Sequence, residues 1–170
     1  MIVLCAANCI PVLIQQNVNG SNFFNRSWAE FKVGFNDSLG NYWLGNDVLH
    51  QLTVSGNYKL RFDLLTTSTG WYWAEYGGVV VLSETNKYKL IVSRYWGNAD
   101  DAFSYQGATY FTTYDRDNDW RTNDNCATFN GGGFWYNSCA RASVNTVRGR
   151  GDGFVWNTRT LQTSRMWLTC

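Results

Sequence analysis

The chain has 170 residues, 45% hydrophobic and 17% aromatic, enough to bury one core of ordinary size and too few for two typical domains. Its 14 basic and 13 acidic residues give a formal charge of +1 with no run of either sign, which argues against a nucleic-acid partner. Low charge together with nine Trp, ten Tyr and ten Phe argues against disorder and points to aromatic-laden strands joined by glycine-assisted turns.

Residues 1–14 are apolar and uncharged, yet they lack the basic flank of a signal peptide and are too short to span a bilayer. Residues 1–11 are therefore read as an atypical, truncated or wrongly assigned start, and nothing later reaches the length of a transmembrane helix. Five cysteines without a C-x-x-C pair, beside the single histidine His50, leave zinc without ligands and favour disulfides outside the cell. Cys126 and Cys139 are close enough in sequence to close a short loop, whereas the pairing of Cys5, Cys9 and Cys170 stays open. Asn-x-Ser sequons at Asn19, Asn25 and Asn36 are compatible with secretion.

The first element is a short helix announced by Ser27 and, three residues on, Glu30; it ends near Gly34 and buries Trp28, Phe31 and Phe35. A second helix starts at the cap residue Asn46, turns Val48, Leu49 and Leu52 inward and stops before Gly56. Next, Tyr58, Leu60, Phe62 and Leu64 interleave with Lys59, Arg61 and Asp63, the alternation of a half-buried strand. Strands are also expected over 71–76, 79–82 and 88–95, the last two joined as a hairpin through 84–87, so an antiparallel sheet follows. From Trp96 to Arg150 periodicity gives way to Asp, Asn, Gly and aromatic residues, a loop-rich region where function is expected.

Within that region Asp115, Asp117 and Asp119 alternate inside five residues. Such a cluster repels itself unless a cation offsets it, and a hard divalent ion prefers several oxygens around it. The pattern is no EF-hand, since Trp120 and Cys126 occupy the places of its glycine and its terminal glutamate. Two readings stand at this point, a calcium loop and a solvated acidic turn whose side chains cap backbone amides.

The run FTTYDRDNDW over 111–120, followed by NCA at 125–127 and FWYNSC at 134–139, resembles the fibrinogen-related domain of fibrinogen chains, ficolins, tachylectins, angiopoietins and tenascins. The resemblance continues upstream, in family order, through RSWAEFKVGF, NYWLGNDVLHQLT, YKLRFDL and GNADDAFSY, and covers the chain from about Val12 to its end. It implies an α+β fold: a central antiparallel sheet with short helices and a loop-rich calcium-binding subdomain. Residues 12–170 would form one such domain without the family's N-terminal disulfide subdomain.

The resemblance also implies roles. Asp117 and Asp119 would bind Ca2+ by carboxylate, Arg121 and Asn123 by backbone carbonyl, with Asp115 behind them. Cys126 and Cys139 match the family disulfide, and Ser138–Cys139 matches a cis peptide beside an acetyl-binding pocket. Pocket residues would be Tyr136, Ser138, Cys139, Ala140 and Trp156, whereas Trp135 is read as core packing. Departures fall on the pocket walls: Ala140 replaces the family histidine, and the segments around Ser143–Thr146 and Trp156 are short. His50 falls on a helix position and reads as a packed residue without a triad partner, and no enzyme signature is present. Arg150, Gly151 and Asp152 spell an integrin-type tripeptide.

The resulting expectation is a secreted, extracellular, non-enzymatic module that recognises acetylated or microbial glycans in innate immunity. Its partners would be glycans or glycoproteins bearing N-acetyl groups. The alternative is a matrix, adhesion or receptor-ligand module that binds a protein receptor. Missing N-terminal regions would supply any homo-oligomer.

Overall fold

The computed structural model describes residues 10–170. The first described strand, β1, spans Val12–Asn17. Helix α1, Trp28–Val33, begins with the expected reciprocal cap: the Ser27 hydroxyl accepts the Glu30 N–H, and the Glu30 carboxylate accepts the Ser27 N–H. The cap's carboxyl is held below its usual range mainly by that Ser27 N–H, against an opposing desolvation cost. Gly34, at φ 94°, then stops the helix where a Cβ would come within 2.5 Å of the Leu44 carbonyl oxygen. Phe35, expected on the helix, opens β2 instead (Phe35–Asn36), which pairs with β3 (Tyr42–Trp43).

Helix α2 runs Asn46–Ser55, with Gly45 rather than Asn46 at its cap. The Asn46 side chain is used otherwise, accepting the indole N–H of Trp43 at 3.2 Å. Val48 faces outward, 37% exposed, and Thr53 takes the inward place expected for it. Thr53 lies four residues from the buried Leu49, on the same helix face. Its hydroxyl donates to the Leu49 carbonyl at 2.8 Å and accepts the Val81 N–H at 2.9 Å, tying the helix to the sheet. His50 is likewise packed, its Nδ1 bonded to the Val81 carbonyl at 2.8 Å.

Strand β4, Lys59–Thr66, alternates half-buried and buried residues along its length, as expected. The two separate strands expected over 71–76 and 79–82 are one strand, β5 (Gly70–Val81), whose register shifts at Gly77 where Gly78 takes φ 59°. A 3-10 turn at Glu84–Asn86 leads to β6 (Leu90–Gly97), completing the hairpin. Then follow β7 (Phe111–Thr112), the short helix α3 (Cys126–Asn130), β8 (Phe134–Trp135), β9 (Ala142–Ser143), β10 (Val155–Trp156) and β11 (Arg159–Thr169).

The main sheet has the order β2-β3-β1-β11-β4-β5-β6, and its pairings are antiparallel. The last strand therefore sits centrally, between β1 and β4. One face carries Leu60, Phe62, Leu64, Ala74, Tyr76, Met166 and Leu168 into the core. There the Phe62 ring meets Phe103 and Trp156 at centroid distances of 4.8 and 4.9 Å, so the loop-rich half is seated on that face.

Candidate functional site

The acidic loop is held at both ends. At its start Thr113 and Arg116 form an isolated antiparallel bridge, and β7 pairs with β8 through Phe111 and Trp135. At its end Asn125 caps α3 by accepting the Thr128 N–H, while its amide donates to the Thr113 carbonyl at 2.9 Å. Asn118 pins the middle, its amide donating to the Phe111 carbonyl at 2.9 Å. The asparagines of this region thus supply backbone latches, which composition alone marked only as loop.

The three aspartates have separate jobs. Asp115 accepts from the Thr113 hydroxyl and from the first N–H of α1, so it is a helix cap. Asp117 is exposed, and one of its oxygens accepts the Asp119 N–H at 3.2 Å. Asp119 is half-buried; its two oxygens accept the N–H groups of Arg121 and Cys126, each at 2.8 Å. Burial raises the Asp119 carboxyl above its usual range, these two N–H bonds pull it down, and the Asp117 charge pushes it up again.

Neither carboxylate has an ion pair among the described residues. The two arginines flanking the pair are committed elsewhere: Arg116 pairs with Glu84 at 3.7 Å and lies 4.1 Å over the Trp28 ring, and Arg121 pairs with Asp124 at 3.0 Å and lies 4.7 Å over the Phe129 ring. Among the described residues no group of three or more His, Cys, Asp or Glu side chains could hold a metal, so an ion here would take the rest of its oxygens from outside that set. The carbonyls of Arg121 and Asn123 accept no backbone hydrogen bond among the described residues. Two adjacent carboxylates, one of them poorly solvated, followed closely in sequence by two carbonyls that the backbone leaves unused, are oxygen donors of the kind a hard cation takes.

Beside this loop Cys126 and Cys139 are joined in a disulfide, with Cα atoms 5.3 Å apart. Trp120 N–H donates to the Asn137 carbonyl at 3.0 Å, binding the acidic loop to the disulfide loop. The Ser138–Cys139 peptide, expected to be cis, is trans, and no cis bond occurs among the described residues. Here the trans chain already closes a local turn, with Asn137 N–H donating to the Cys139 carbonyl at 2.9 Å, and avoids the cost of a non-proline cis bond.

The expected pocket residues divide. Ser138 is exposed and Ala140 partly so, whereas Cys139 is nearly covered. Tyr136 and Trp156 have no exposed surface: the Tyr136 hydroxyl donates to the Gly132 carbonyl at 2.7 Å, and the Trp156 indole donates to the Asp100 carbonyl at 2.7 Å. Both rings stand in the core rather than on a pocket wall, because the sheet offers Phe62 as a packing partner for Trp156 and the glycine run admits Tyr136. Trp135 is buried as expected, donating to the Tyr88 carbonyl.

Asp152, read from sequence only as part of an integrin-type tripeptide, stands beside the disulfide loop. Its carboxylate accepts the Ala140 N–H and the Asn130 amide, each at 3.2 Å, clamping the exposed end of the disulfide loop. Its own N–H donates to Asn130, and Arg150 donates to the Thr128 carbonyl at 2.7 Å. The Arg-Gly-Asp tripeptide is therefore a structural clasp with both charged side chains engaged. Cys170 is disulfide-bonded, while Cys5 and Cys9 lie outside the described residues.

An antiparallel sheet with seven strands on its main path, three helices and a loop-rich half latched by an acidic loop and a disulfide define an α+β domain. Residues 5–167 match the C-terminal globular domain of fibrinogen beta and gamma chains, and the chain belongs to that family. It is 41% identical over 152 residues to angiopoietin-related protein 2 of Mus musculus, covering 85% of this chain and 31% of that protein. Against human ficolin-3 the identity is 38% over 135 residues, covering 79% of this chain and 45% of the relative. The chain thus spans less than half the length of these curated relatives.

Among solved structures, the fibrinogen-like globe domain of human ANGPTL2 superposes with a TM-score of 0.85 at 37% identity, over 93% of this chain and 79% of that one. Lamprey fibrin D-dimer, solved with the peptide ligand Gly-His-Arg-Pro-amide, gives 0.83 at 28% identity, over 92% of this chain and 60% of that one.

Proposed function

We propose that this chain is a secreted, extracellular, calcium-dependent recognition module and not an enzyme. The observation that carries the reading is the pair Asp117 and Asp119, adjacent, without an ion-pair partner among the described residues, and followed in sequence by Arg121 and Asn123, whose carbonyls accept no backbone hydrogen bond. Ca2+ bound by these groups would fix the loop that holds Cys126, Ser138 and Ala140 in place, and would contribute folding energy in doing so.

The ligand surface beside it is the exposed turn at Ser138–Ala140, and its lead ligands are N-acetylated or microbial glycans, as the expected pocket implies. Burial of Tyr136 and Trp156 makes that turn shallower than a walled pocket, which favours a protein receptor as the second reading. A relative of this fold holding a peptide ligand supports the same alternative. Among the described residues no helix is long and apolar enough to cross a membrane. Clustering through regions beyond this chain would raise the avidity of weak sites.

Calorimetric titration with calcium chloride, followed by a glycan and receptor array with and without chelator, tests the proposal. Expected are calcium heat in the parent, none in Asp117→Ala/Asp119→Ala, and chelator-sensitive retention of acetylated sugars or of a receptor. With calcium at 100-fold its Kd the parent gains about 2.7 kcal/mol of stability. Equal stability of parent and double variant in millimolar calcium sinks the proposal.

A further inference from the structure

The face of the sheet turned away from the loop-rich half is lined by tryptophan and arginine. Cross-strand register sets Trp167 opposite Arg61, Arg61 opposite Glu75 and Glu75 opposite Trp96 in one row, and Arg165, Asp63 and Trp73 in the next. Trp71 and Trp96 are 52% and 46% exposed, large for indoles on a folded domain. Along the second row lies a cleft of about 270 Å³ lined by Arg61, Asp63, Trp71, Tyr72, Trp73 and Arg165. That volume lies just below the range of drug-sized pockets and suits a ligand of sugar-ring size.

We propose that this outer sheet face is a second, calcium-independent binding surface for neutral oligosaccharides. Its charges are matched but for one: Arg61 pairs with Asp63 at 2.9 Å and Lys59 with Glu75 at 3.4 Å, while Arg165 donates to the neutral Gln16 at 2.7 Å. An anionic ligand would find one net positive charge here, too little for a phosphate or sulfate polymer. A dry apolar partner would bury Asp63, Glu75 and Arg61 between indoles and strip them of water, which is costly for ionised groups.

A polyhydroxyl ligand meets both demands. Its C–H face lies on an indole, and its hydroxyls both accept from guanidinium N–H groups and donate to the carboxylate of Asp63. An adjoining depression is lined by Pro11, Arg61, Asp63, Trp167 and Thr169, and the buried indole N–H of Trp167 has no acceptor among the described residues. The guanidiniums of Arg61 and Arg165, 4.8 and 5.7 Å from the Trp73 and Trp71 rings, hold these side chains in place ahead of binding.

The proposal does not rest on the calcium loop, and one experiment separates the two. Intrinsic tryptophan fluorescence is titrated with maltohexaose and cellohexaose in excess chelator, and a neutral-glycan array is run in the same buffer. Expected is chelator-resistant binding by the parent and by Asp117→Ala/Asp119→Ala, weakened at least tenfold in Trp71→Ala/Trp73→Ala. Asp63→Asn, which keeps the packing, serves if the double variant does not fold, and is expected to weaken binding severalfold. No chelator-resistant binding to any neutral glycan, or unchanged binding in the variants, overturns the proposal. So does a concentration-dependent dimer that disappears in Trp71→Ala/Trp73→Ala, since a second copy would then occupy the face.

Discussion

The carboxylate of Asp115 accepts the backbone N–H of Trp28 at 2.9 Å, across 87 residues of sequence. Trp28 opens α1, so an acid of the loop satisfies a helix donor that Ser27 and Glu30 leave unmet. The neighbouring Arg116 lies 4.1 Å over the Trp28 ring, a second clasp between the same segments. Asp115→Ala should therefore destabilise the domain by about 1 kcal/mol, the usual cost of a lost cap, and by the same amount with or without calcium. Urea unfolding in chelator measures it. A loss seen only in calcium would instead make Asp115 a ligand.

Glu84 anchors the other side of Trp28, accepting its indole N–H at 2.8 Å, and it is ion-paired with Lys32. The Lys32 ammonium foremost, then the Trp28 indole, hold the Glu84 carboxyl below the usual carboxylate range. A carboxyl lowered by folding stabilises the native state above its unfolded pKa, and that contribution disappears as pH falls through the folded value. Glu84→Gln should then cost about 0.5 kcal/mol at pH 7, discounted because the side chain is one-third exposed, and almost nothing once the pH has fallen below the folded carboxyl's lowered value. Melting temperatures across pH 2 to 7 give the comparison; parallel curves for parent and variant would refute the assignment.

The reading from sequence succeeded where the signal was local. Ser27 and Glu30 spell their cap within four residues, and the alternation from Tyr58 to Leu64 needs no distant partner. It did not reach β11, because a register shift between Leu161 and Thr163 breaks the period and Trp167 is large and apolar on the outer face. Thr53 rather than Val48 is turned inward because a hydroxyl can be buried once the Leu49 carbonyl and the Val81 N–H meet it, a tertiary fact. The disulfide was legible through the family resemblance. That Tyr136 and Trp156 are core, and that Asp152 clamps Ala140, depends on contacts with Gly132, Phe62 and Asn130 that spacing along the chain does not encode.

The Cys126–Cys139 bridge closes a loop across 13 positions and crosses from α3 to the exposed turn. A loop of about 15 residues contributes roughly 3 kcal/mol by chain-entropy reasoning. Cys126→Ala/Cys139→Ala should lose about 2–4 kcal/mol while keeping the sheet, since neither cysteine lies in a strand of it. Guanidinium unfolding followed by far-ultraviolet circular dichroism checks both parts. A loss below about 1 kcal/mol would mean that the asparagine latches alone hold the loop.

Gly132 is where the disulfide loop meets the core. A Cβ built there would stand 1.7 Å from the Asn145 carbonyl oxygen and 3.3 Å from the Phe24 Cβ, and its own carbonyl accepts the Tyr136 hydroxyl. No rotamer change relieves a clash with backbone, so Gly132→Ala must displace the 143–146 segment, whose residues are all buried. The expected loss is about 3 kcal/mol or more. Gly149→Ala is the matched control: its φ is 77° with nothing within 4 Å of the new Cβ, so only left-handed strain of about 1–2 kcal/mol applies. Denaturant midpoints of the two variants separate steric exclusion from backbone strain. A Gly132→Ala protein as stable as Gly149→Ala would show that the core around Asn145 yields, and that the loop is not seated as tightly as its contacts imply.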